Sequence, residues 1–523
     1  MLMINLILIL LVGGVLAVLS EKISDKAPRW VALGVVFFAL LLMLNFILGL
    51  DKPQLYQIPD PAAPERWLMH ISIAWIPAFG IAIELAMDGL SLLMVLLTLV
   101  LGAVAISASW TDVKTKTGFF EANILWTLAG VLGVFLSLDL FLFFLFWEVM
   151  LIPMYFMIAI WGHEKRAYAS MKFFIFTQAS GLLMLVSILA LAAVHHSNSG
   201  QWSFSYFELL DTEMSAQTAK WLMLGFFIAF VVKLPAFPFH TWLPDAHTQA
   251  PTAGSVILAG ILLKTGAYGL IRFAVPLFPE ASADFSGIAI VLGASGVVYG
   301  AVLAFGQTDF KRLVAYSSVS HMGFVLLGVY AWNELALQGA VMQMVAHGFS
   351  TAALFMIAGS LQERLHTRDM RKMGGLWQNM PRMGAVAMFF VIASLGLPGL
   401  GNFVAEFLVL LGLFQVDPWI TVIAALGLIT GAAYSLILMQ KSFQGTPDPS
   451  RTVSDYGFRE MSTMTVMIVA LIVLGVFPQP VLDIAQPVLQ SLLDLTGNSP
   501  GGIAVISAVD SASVEGIYQL EIQ

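Results

Sequence analysis

Long apolar runs recur along the whole chain, and short polar or charged segments separate them. A helix that crosses a bilayer needs about 20 consecutive, mostly apolar residues. This pattern predicts an all-α polytopic membrane protein with fourteen transmembrane helices. The predicted helices lie at 3–20, 30–50, 86–109, 118–138, 140–161, 168–194, 220–240, 252–275, 285–306, 311–331, 335–361, 383–414, 418–440 and 462–486.

Two of the predicted helices contain breaks. The seventh is interrupted by Pro235 just after Lys233, and the twelfth by Pro398 within the motif GLPGLG. A helix broken at membrane depth is tolerated only where protein or water covers the freed backbone groups. Paired broken helices in two halves of a chain are typical of transporters built from inverted repeats. Because the two breaks lie five helices apart, in helices 7 and 12, we predict two inverted five-helix repeats, helices 4–8 and 9–13.

These repeats predict the division of the chain. Residues 51–85 have mixed polarity, and the alternation at His70–Ile76 predicts a small external β-hairpin. The predicted parts are 1–117 with helices 1–3 and the hairpin, 118–280 and 281–445 with the two repeats, 446–498 with the C-terminal helix 14, and 499–523 as a polar tail.

Composition supports a membrane protein and excludes several kinds of site. The chain is 59% hydrophobic and 11% charged, whereas soluble proteins average about 25% charged residues. No cysteine is present, which excludes disulfides, cysteine-ligated iron–sulfur clusters and cysteine-based zinc sites. The net charge of -8 is spread along the chain and gives no reason to expect a nucleic-acid partner. Residues 1–20 have the length of a signal peptide, but the basic residues follow the apolar run, so we interpret it as a helix.

The distribution of basic residues predicts the orientation. Lys233 and Lys264 lie inside predicted helices, and nearly all other Lys and Arg residues fall in or beside odd-numbered loops. The exceptions, in or beside even-numbered loops, are Lys52, Arg66, Lys220 and Arg272. Cytoplasmic loops carry the excess of Lys and Arg, so we predict odd loops in the cytoplasm and both termini outside.

A few ionisable residues stand alone in apolar sequence. A charge at membrane depth costs roughly 3 kcal/mol on insertion scales and usually marks a functional site. A carboxylate that approaches a buried lysine raises the proton affinity of that lysine, so Glu148 and Lys233 form a candidate proton switch if the fifth and seventh helices touch. A structural role is the plainer interpretation of any single histidine, but His321 and His347 both lie between the central Lys264 and the distal Glu406 in the sequence. The candidate proton-translocating residues are Glu148, Lys233, Lys264, His321, His347 and Glu406.

The motif HTWLPDAH places His240, Asp245 and His247 beside the first break. The spacing allows metal ligands, but there is one carboxylate and no cysteine, so helix caps or relay residues are the favoured interpretation. We predict that the chain binds no metal.

Four motifs carry a resemblance to a known family. FWEVMLIPMYFMI around Glu148, the sequence from Lys233 to Gly269, AYSSVSHMG around His321 and GLPGLGNFVAEF around Glu406 resemble the antiporter-like proton-translocating subunits of respiratory complex I. The resemblance extends from about residue 85 to 480. It implies fourteen helices, ten of which form two inverted five-helix repeats, with helices 7 and 12 broken, as the pattern above predicts.

The resemblance also implies roles. Glu148 and Lys233 would form the pair that takes up the proton, Lys264, His321 and His347 a hydrated central axis, and Glu406 the release site. A glutamate at this last position resembles the subunit M branch, because sister subunits L and N and the related chain of multisubunit sodium/proton antiporters typically carry lysine there. The short polar tail also differs from subunit L, which has a long lateral helix.

The function expected from the resemblance is proton export coupled to NADH oxidation and quinone reduction elsewhere in a complex. Subunits L and N are the expected neighbours within the lipid bilayer, and FMN, iron–sulfur clusters and quinone are expected in partner subunits, with no cofactor in this chain. The alternatives are a component of a multisubunit sodium/proton antiporter, a purely structural membrane subunit, and a quinone-reducing subunit.

Overall fold

The computed structural model describes residues 1–50, 67–447 and 453–497. Its elements up to the first break are α1 (Leu2–Ser20), α2 (Ala27–Leu48), β1 (Met69–Ile76), β2 (Ile81–Met87), α3 (Gly89–Ala108), α4 (Thr117–Leu136), α5 (Leu140–Trp161), α6 (Arg166–Ser199), α7a (Ala216–Lys233) and α7b (Trp242–Gln249). The remaining long elements are α8 (Thr252–Leu277), α9 (Pro279–Phe305), α10 (Phe310–Tyr330), α11 (Glu334–Leu365), α12a (Pro381–Ser394), α12b (Gly401–Val416), α13 (Pro418–Ser442), α14 (Phe458–Val476) and α15 (Gln479–Gly497). The predicted polar tail and residues 51–66 of the predicted hairpin region lie outside the described residues.

The helix count agrees with the prediction. Thirteen helices in the described ranges are long and apolar enough to cross a membrane. The two shorter apolar helices α12a and α12b stand where the sequence predicts the twelfth helix, so together they account for the fourteenth crossing. The all-α polytopic fold with breaks in helices 7 and 12 is confirmed.

Local sequence explains where several helices begin and break. Asp139 caps α5, because its side chain accepts a hydrogen bond from the Leu142 N–H and so satisfies one of the free donors at a helix start. Gly396 and Gly399 have positive φ in the break between α12a and α12b, a conformation that glycine adopts without steric cost.

The prediction for the last helix is wrong in its bounds. The apolar pattern predicts one helix at 462–486, but α14 ends at Val476 and α15 begins at Gln479. Pro478 lies between them, and proline restricts the preceding residue away from the helical region. Part of the apolar run assigned to the membrane crossing therefore belongs to a separate helix, whose residues Ala485 and Leu489 are buried against the bundle.

The hairpin is present and defines one side of the molecule. β1 and β2 pair antiparallel, from Met69 opposite Met87 to Ile76 opposite Ile81. The hairpin is bonded to the start of α5, since the Ala82 N–H donates to the Asp139 carboxylate at 3.0 Å. We call this end of the bundle the hairpin side.

Burial identifies the centre of the bundle. The 18-residue apolar stretches of α8 and α11 are fully buried, whereas only 22% of the corresponding stretch is buried in α2 and in α14. Exposed apolar side chains such as Phe37 and Val469 cover the outer helices, as expected of surfaces that face lipid. Because Lys264 lies on α8 and His347 on α11, both are at the centre of the bundle.

Candidate functional site

Glu148 and Lys233 lie close together at the contact between α5 and α7a. The Lys233 Nζ atom is 5.0 Å from the centre of the Trp147 ring and 5.8 Å from that of Phe173. Phe230, one turn before Lys233, also packs against Trp147 at 5.6 Å between ring centres. The contact between the fifth and seventh helices that a proton switch requires is therefore present.

The two charged groups are not in direct contact. Among the described residues, Lys233 Nζ and Glu148 Oε1 have no hydrogen-bond partner although both atoms are buried. Glu148 is an electrostatic neighbour of Lys233, and its side chain is hydrogen-bonded to Gln178 on α6. Burying two opposite charges out of contact with each other is costly, so a movement that brings the two groups together would be stabilising.

Close packing of α6 and α8 confines this pair. A Cβ atom on Gly181 would lie 2.7 Å from Glu148 Oε1, and one on Gly266 would lie 2.5 Å from the Phe230 carbonyl oxygen. Glycine at these two positions lets α6 approach the carboxylate and α8 approach the end of α7a.

Lys264 occupies a distorted part of α8. The segments Leu258–Leu262 and Leu270–Ala274 are π-helical, and such turns are frequent at functional sites. The Lys264 Nζ atom donates to the Ala259 carbonyl at 2.5 Å, and the His347 Nδ1 atom lies 2.8 Å away. Lys264 thus bridges α8 and α11 and points back towards the start of its own helix.

The polar contacts continue from α11 to α10 and α12b. The rings of His347 and His321 are 5.4 Å apart between centres, and His321 Nδ1 is 2.7 Å from Glu406 Oε1. Gln343 Nε2 donates to the same Glu406 oxygen at 3.2 Å, and Ser394 Oγ lies 3.3 Å from His321 Nε2.

We refer to Lys264, His347, His321 and Glu406 as the relay axis. All four side chains are buried, and they come from four different helices. A lysine, two histidines and a carboxylate are groups that exchange protons, and their neighbouring contacts form one continuous series. Their roles in proton transfer, and those of Glu148 and Lys233, remain a prediction.

The three polar residues of HTWLPDAH point to different partners. Asp245 pairs with Lys172 at 2.7 Å, His240 packs against the Tyr299 ring, and His247 stacks on Phe355 with 4.3 Å between ring centres. They do not converge on a common point, and no group of three potential metal ligands occurs within the described ranges.

Sequence reasoning misses a second buried charge on α8. The predicted helix 252–275 contains Arg272, but the sequence analysis counts it with the charges in or beside a loop. The structure places it inside α8, where it pairs with Asp88, whose other oxygen caps α3 by accepting from the Ser91 N–H at 2.9 Å. Both side chains of the ion pair are at most 5% exposed. The signal available in the sequence is an arginine followed by six apolar or proline residues up to Phe278.

On the side opposite the hairpin, α3 and α11 end and α8 begins around a cavity. It has a volume of about 340 Å³ and is lined by polar groups that include Asp112, His163 and Glu363. Burial, reinforced by the charges of Lys311 and Arg368, lowers the pKa of His163 to about 4. His163 is therefore neutral at pH 7, and its Nδ1 atom is 3.3 Å from the Gln362 side chain.

Comparison with known proteins agrees with the fold. The sequence matches the family described as "NADH:quinone oxidoreductase/Mrp antiporter, TM" over residues 137–430, a range that contains Glu148, Lys233 and the whole relay axis. The chain is 55% identical to NADH-quinone oxidoreductase subunit M of Pseudomonas aeruginosa over 486 residues, which cover 92% of this chain and 95% of that protein. It is 52% identical to subunit M of Escherichia coli K12 over 502 residues, with 94% and 98% coverage.

Solved structures agree. A chain in respiratory complex I from Thermus thermophilus with bound NADH superposes with a TM-score of 0.85 at 31% identity, covering 95% of this chain and all of that one. A chain of the Mrp complex from Dietzia has the same fold, with a TM-score of 0.78 at 19% identity and coverage of 95% and 98%. The chain is therefore a multi-pass membrane protein of the NADH:quinone oxidoreductase/Mrp antiporter family, and it groups with the subunit M proteins of NADH-quinone oxidoreductase.

Proposed function

We propose that this chain is a proton-translocating subunit of the membrane arm of an NADH-quinone oxidoreductase. The observation that carries the proposal is the relay axis, a buried and continuous series of proton-exchanging groups from Lys264 to Glu406. Glu148 and Lys233, one helix away from Lys264, supply the second element, a buried charge pair whose separation can change.

The separation of Glu148 and Lys233 is the proposed switch. A nearby carboxylate favours the charged form of a buried lysine, and withdrawal of that carboxylate favours the neutral form. When the two groups approach, Lys233 holds a proton taken up from the cytoplasm. When they separate, the proton passes to Lys264, on to His347 and His321, and leaves through Glu406.

The orientation and partners follow from the same proposal. The hairpin side is periplasmic, as are both termini, and protons move from the cytoplasm to the periplasm. Subunits of the L and N type are the proposed neighbours. FMN, iron–sulfur clusters and quinone belong to partner subunits, and a redox-driven movement or charge from a neighbouring subunit changes the Glu148–Lys233 distance.

Proton pumping by the intact complex tests the proposal. Lys233→Ala and Glu148→Gln are introduced separately, and NADH-quinone turnover and protons moved per electron are measured in membrane vesicles. We expect both activities to fall while the complex stays assembled. Lys220→Ala is the matched control. Lys220 lies on the same helix as Lys233, but its side chain is 46% exposed, so this variant should move as many protons per electron as wild type. Unchanged protons per electron in Lys233→Ala would leave a purely structural subunit.

A sodium/proton antiporter subunit is the nearest alternative. The structural likeness to the Mrp complex is at 19% identity and supports a common fold alone. Copurification separates the two functions: flavin and iron–sulfur subunits should accompany this chain in detergent extracts, and their absence would favour the antiporter.

A further inference from the structure

A polar stripe connects Lys264 to the hairpin side of α8. Lys264, Tyr268 and Arg272 are spaced four residues apart, so they lie on one face of the helix. The Tyr268 hydroxyl donates to the Phe135 carbonyl at 2.9 Å and lies 3.0 Å from Ser91 Oγ. Arg272 Nε donates to the same hydroxyl at 3.3 Å. Over about 12 Å of helix, polar groups therefore lead from the relay axis towards the hairpin side.

This stripe poses a problem for directional proton transfer. If the hairpin side is periplasmic, as the proposed function has it, a wet path along α8 would let protons return from the periplasm to Lys264. Such a return would bypass Glu406 and dissipate the gradient. Some feature of the hairpin end of α8 has to close this path.

Arg272 stands at that end and is covered on several sides. Its guanidinium carbon lies 5.0 Å from the centre of the Trp67 ring and 5.5 Å from that of Tyr268. Asp88, its ion-pair partner, fixes it to the start of α3. The final turn of α8 also contacts α15, which in turn packs on α3. The arginine is thus held in place by elements from distant parts of the chain.

The charge of Arg272 is permanent. A guanidinium does not lose its proton in proteins, so it cannot relay a proton as Lys264 can. A fixed positive charge in a narrow polar path excludes protons and other cations, as an arginine does in selective channels. The Lys264 ammonium points the other way, towards the Ala259 carbonyl and His347.

We propose that Arg272 is an electrostatic barrier that closes the hairpin-side end of α8 and thereby prevents back-flow of protons to Lys264. Asp88 positions the barrier and does not itself block the path. This proposal rests on the proposed function for the direction of transport.

Passive proton conductance tests the barrier. The purified complete complex is reconstituted in liposomes containing pyranine, and a potassium diffusion potential drives protons in the absence of NADH. We expect a several-fold increase in proton flux per complex for the charge-neutral double variant Arg272→Met/Asp88→Asn and for Arg272→Gln, which keeps donors for Asp88 and Tyr268. Asp88→Asn alone and Arg272→Lys keep the positive charge and should stay as tight as wild type.

Two further variants decide whether the leak uses the proposed path. Adding Lys264→Ala to Arg272→Gln should abolish the leak. The double variant Arg364→Met/Glu460→Gln removes a comparable ion pair near the opposite end of the bundle and should not leak. The barrier is overturned if an assembled charge-neutral variant shows the same proton flux as wild type. It is also overturned if Arg272→Lys leaks protons, or if the leak of Arg272→Gln survives the addition of Lys264→Ala.

The outcome is separate from the test of the proposed function. The leak is measured without NADH and needs no coupling to redox chemistry, whereas Lys233→Ala is judged by protons moved per electron. Normal coupling in Lys233→Ala would reject the relay, while a tight Arg272→Gln complex would reject the barrier alone.

Discussion

His321 Nδ1 lies 2.7 Å from Glu406 Oε1, and both side chains are almost fully buried. Gln343 donates to the same oxygen, so Glu406 has polar partners on α10 and α11 while its own helix begins after a break. The last group of the relay axis is thus joined to the others on one side and lies next to irregular backbone on the other, where Gly396 approaches its second oxygen.

Removing the charge of Glu406 should block proton release. Glu406→Gln keeps the size of the side chain but can no longer accept a proton from His321. We expect NADH-driven proton movement to fall by roughly 100-fold or more, the range for a lost proton-transfer group, as measured in vesicles with a pH-sensitive dye. Asp417→Asn is the control, because Asp417 caps α13 at the far end of α12b. A Glu406→Gln complex that pumps normally would exclude Glu406 from the path.

A methyl group on Gly181 should disturb Glu148 without changing any charge. The added Cβ atom would lie 2.7 Å from Glu148 Oε1, and overpacking of this kind typically costs about 1–3 kcal/mol. Glu148 must therefore move, and we expect Gly181→Ala to lower protons moved per electron. Gly287→Ala adds the same methyl group where nothing lies within 4 Å. Equal coupling in the two variants would contradict a requirement for the observed position of Glu148.

Acid should weaken the protein partly through His163. Its pKa is lowered to about 4 in the folded chain, whereas an unperturbed histidine has a pKa of about 6.5. The unfolded state therefore binds more protons between these two values, and stability is lost as pH falls from about 6.5 towards 4. His163→Gln should reduce the drop in thermal midpoint between pH 7.5 and pH 5 of the purified complex. An unaltered drop would mean that other groups carry the acid sensitivity.

The Arg364–Glu460 pair should contribute stability without affecting coupling. Arg364 donates to both Glu460 oxygens, at 2.7 and 2.9 Å, and to the Ser454 carbonyl, so it ties α11 to the start of α14. Because both side chains are 12% exposed, loss of one partner should cost more than the about 1 kcal/mol of an exposed pair and less than the about 3 kcal/mol or more of a fully buried one. We expect Arg364→Ala to lower the thermal midpoint of the purified complex. The complex that does assemble should move as many protons per electron as wild type. Altered coupling in that assembled complex would connect this pair to proton transfer.

Much of the fold and of the candidate site can be predicted from the length of the apolar runs and from the charged residues that stand alone within them. Fourteen crossings follow from run length, and Pro235 and Pro398 mark the breaks. Lys264 and Glu406 stand out because a charge in an apolar run has few interpretations. Uncharged partners such as Gln343 give no comparable signal, since a single amide is common in membrane helices and its importance depends on which helix faces it.

Burial that depends on packing between distant segments could not be predicted. Lys311 stands at the start of a predicted helix and is counted with the loop charges, and in the structure it is completely buried and donates to the Ala250 carbonyl at the end of α7b. The ion pair of Arg272 is missed for the same reason, because its partner Asp88 caps α3, far away in sequence. Neither contact can be inferred from local polarity.

The π-helical turn at Leu258–Leu262 makes the number of residues in α8 matter as much as their identity. One residue corresponds to about 100° of rotation in an α-helix. Deleting any single residue of this turn would rotate the start of α8 relative to Lys264, so that the packing of that start and the Lys264–His347 contact could not both be kept. A one-residue deletion here should therefore be more harmful than most substitutions, even though the residues of this turn are all apolar or glycine.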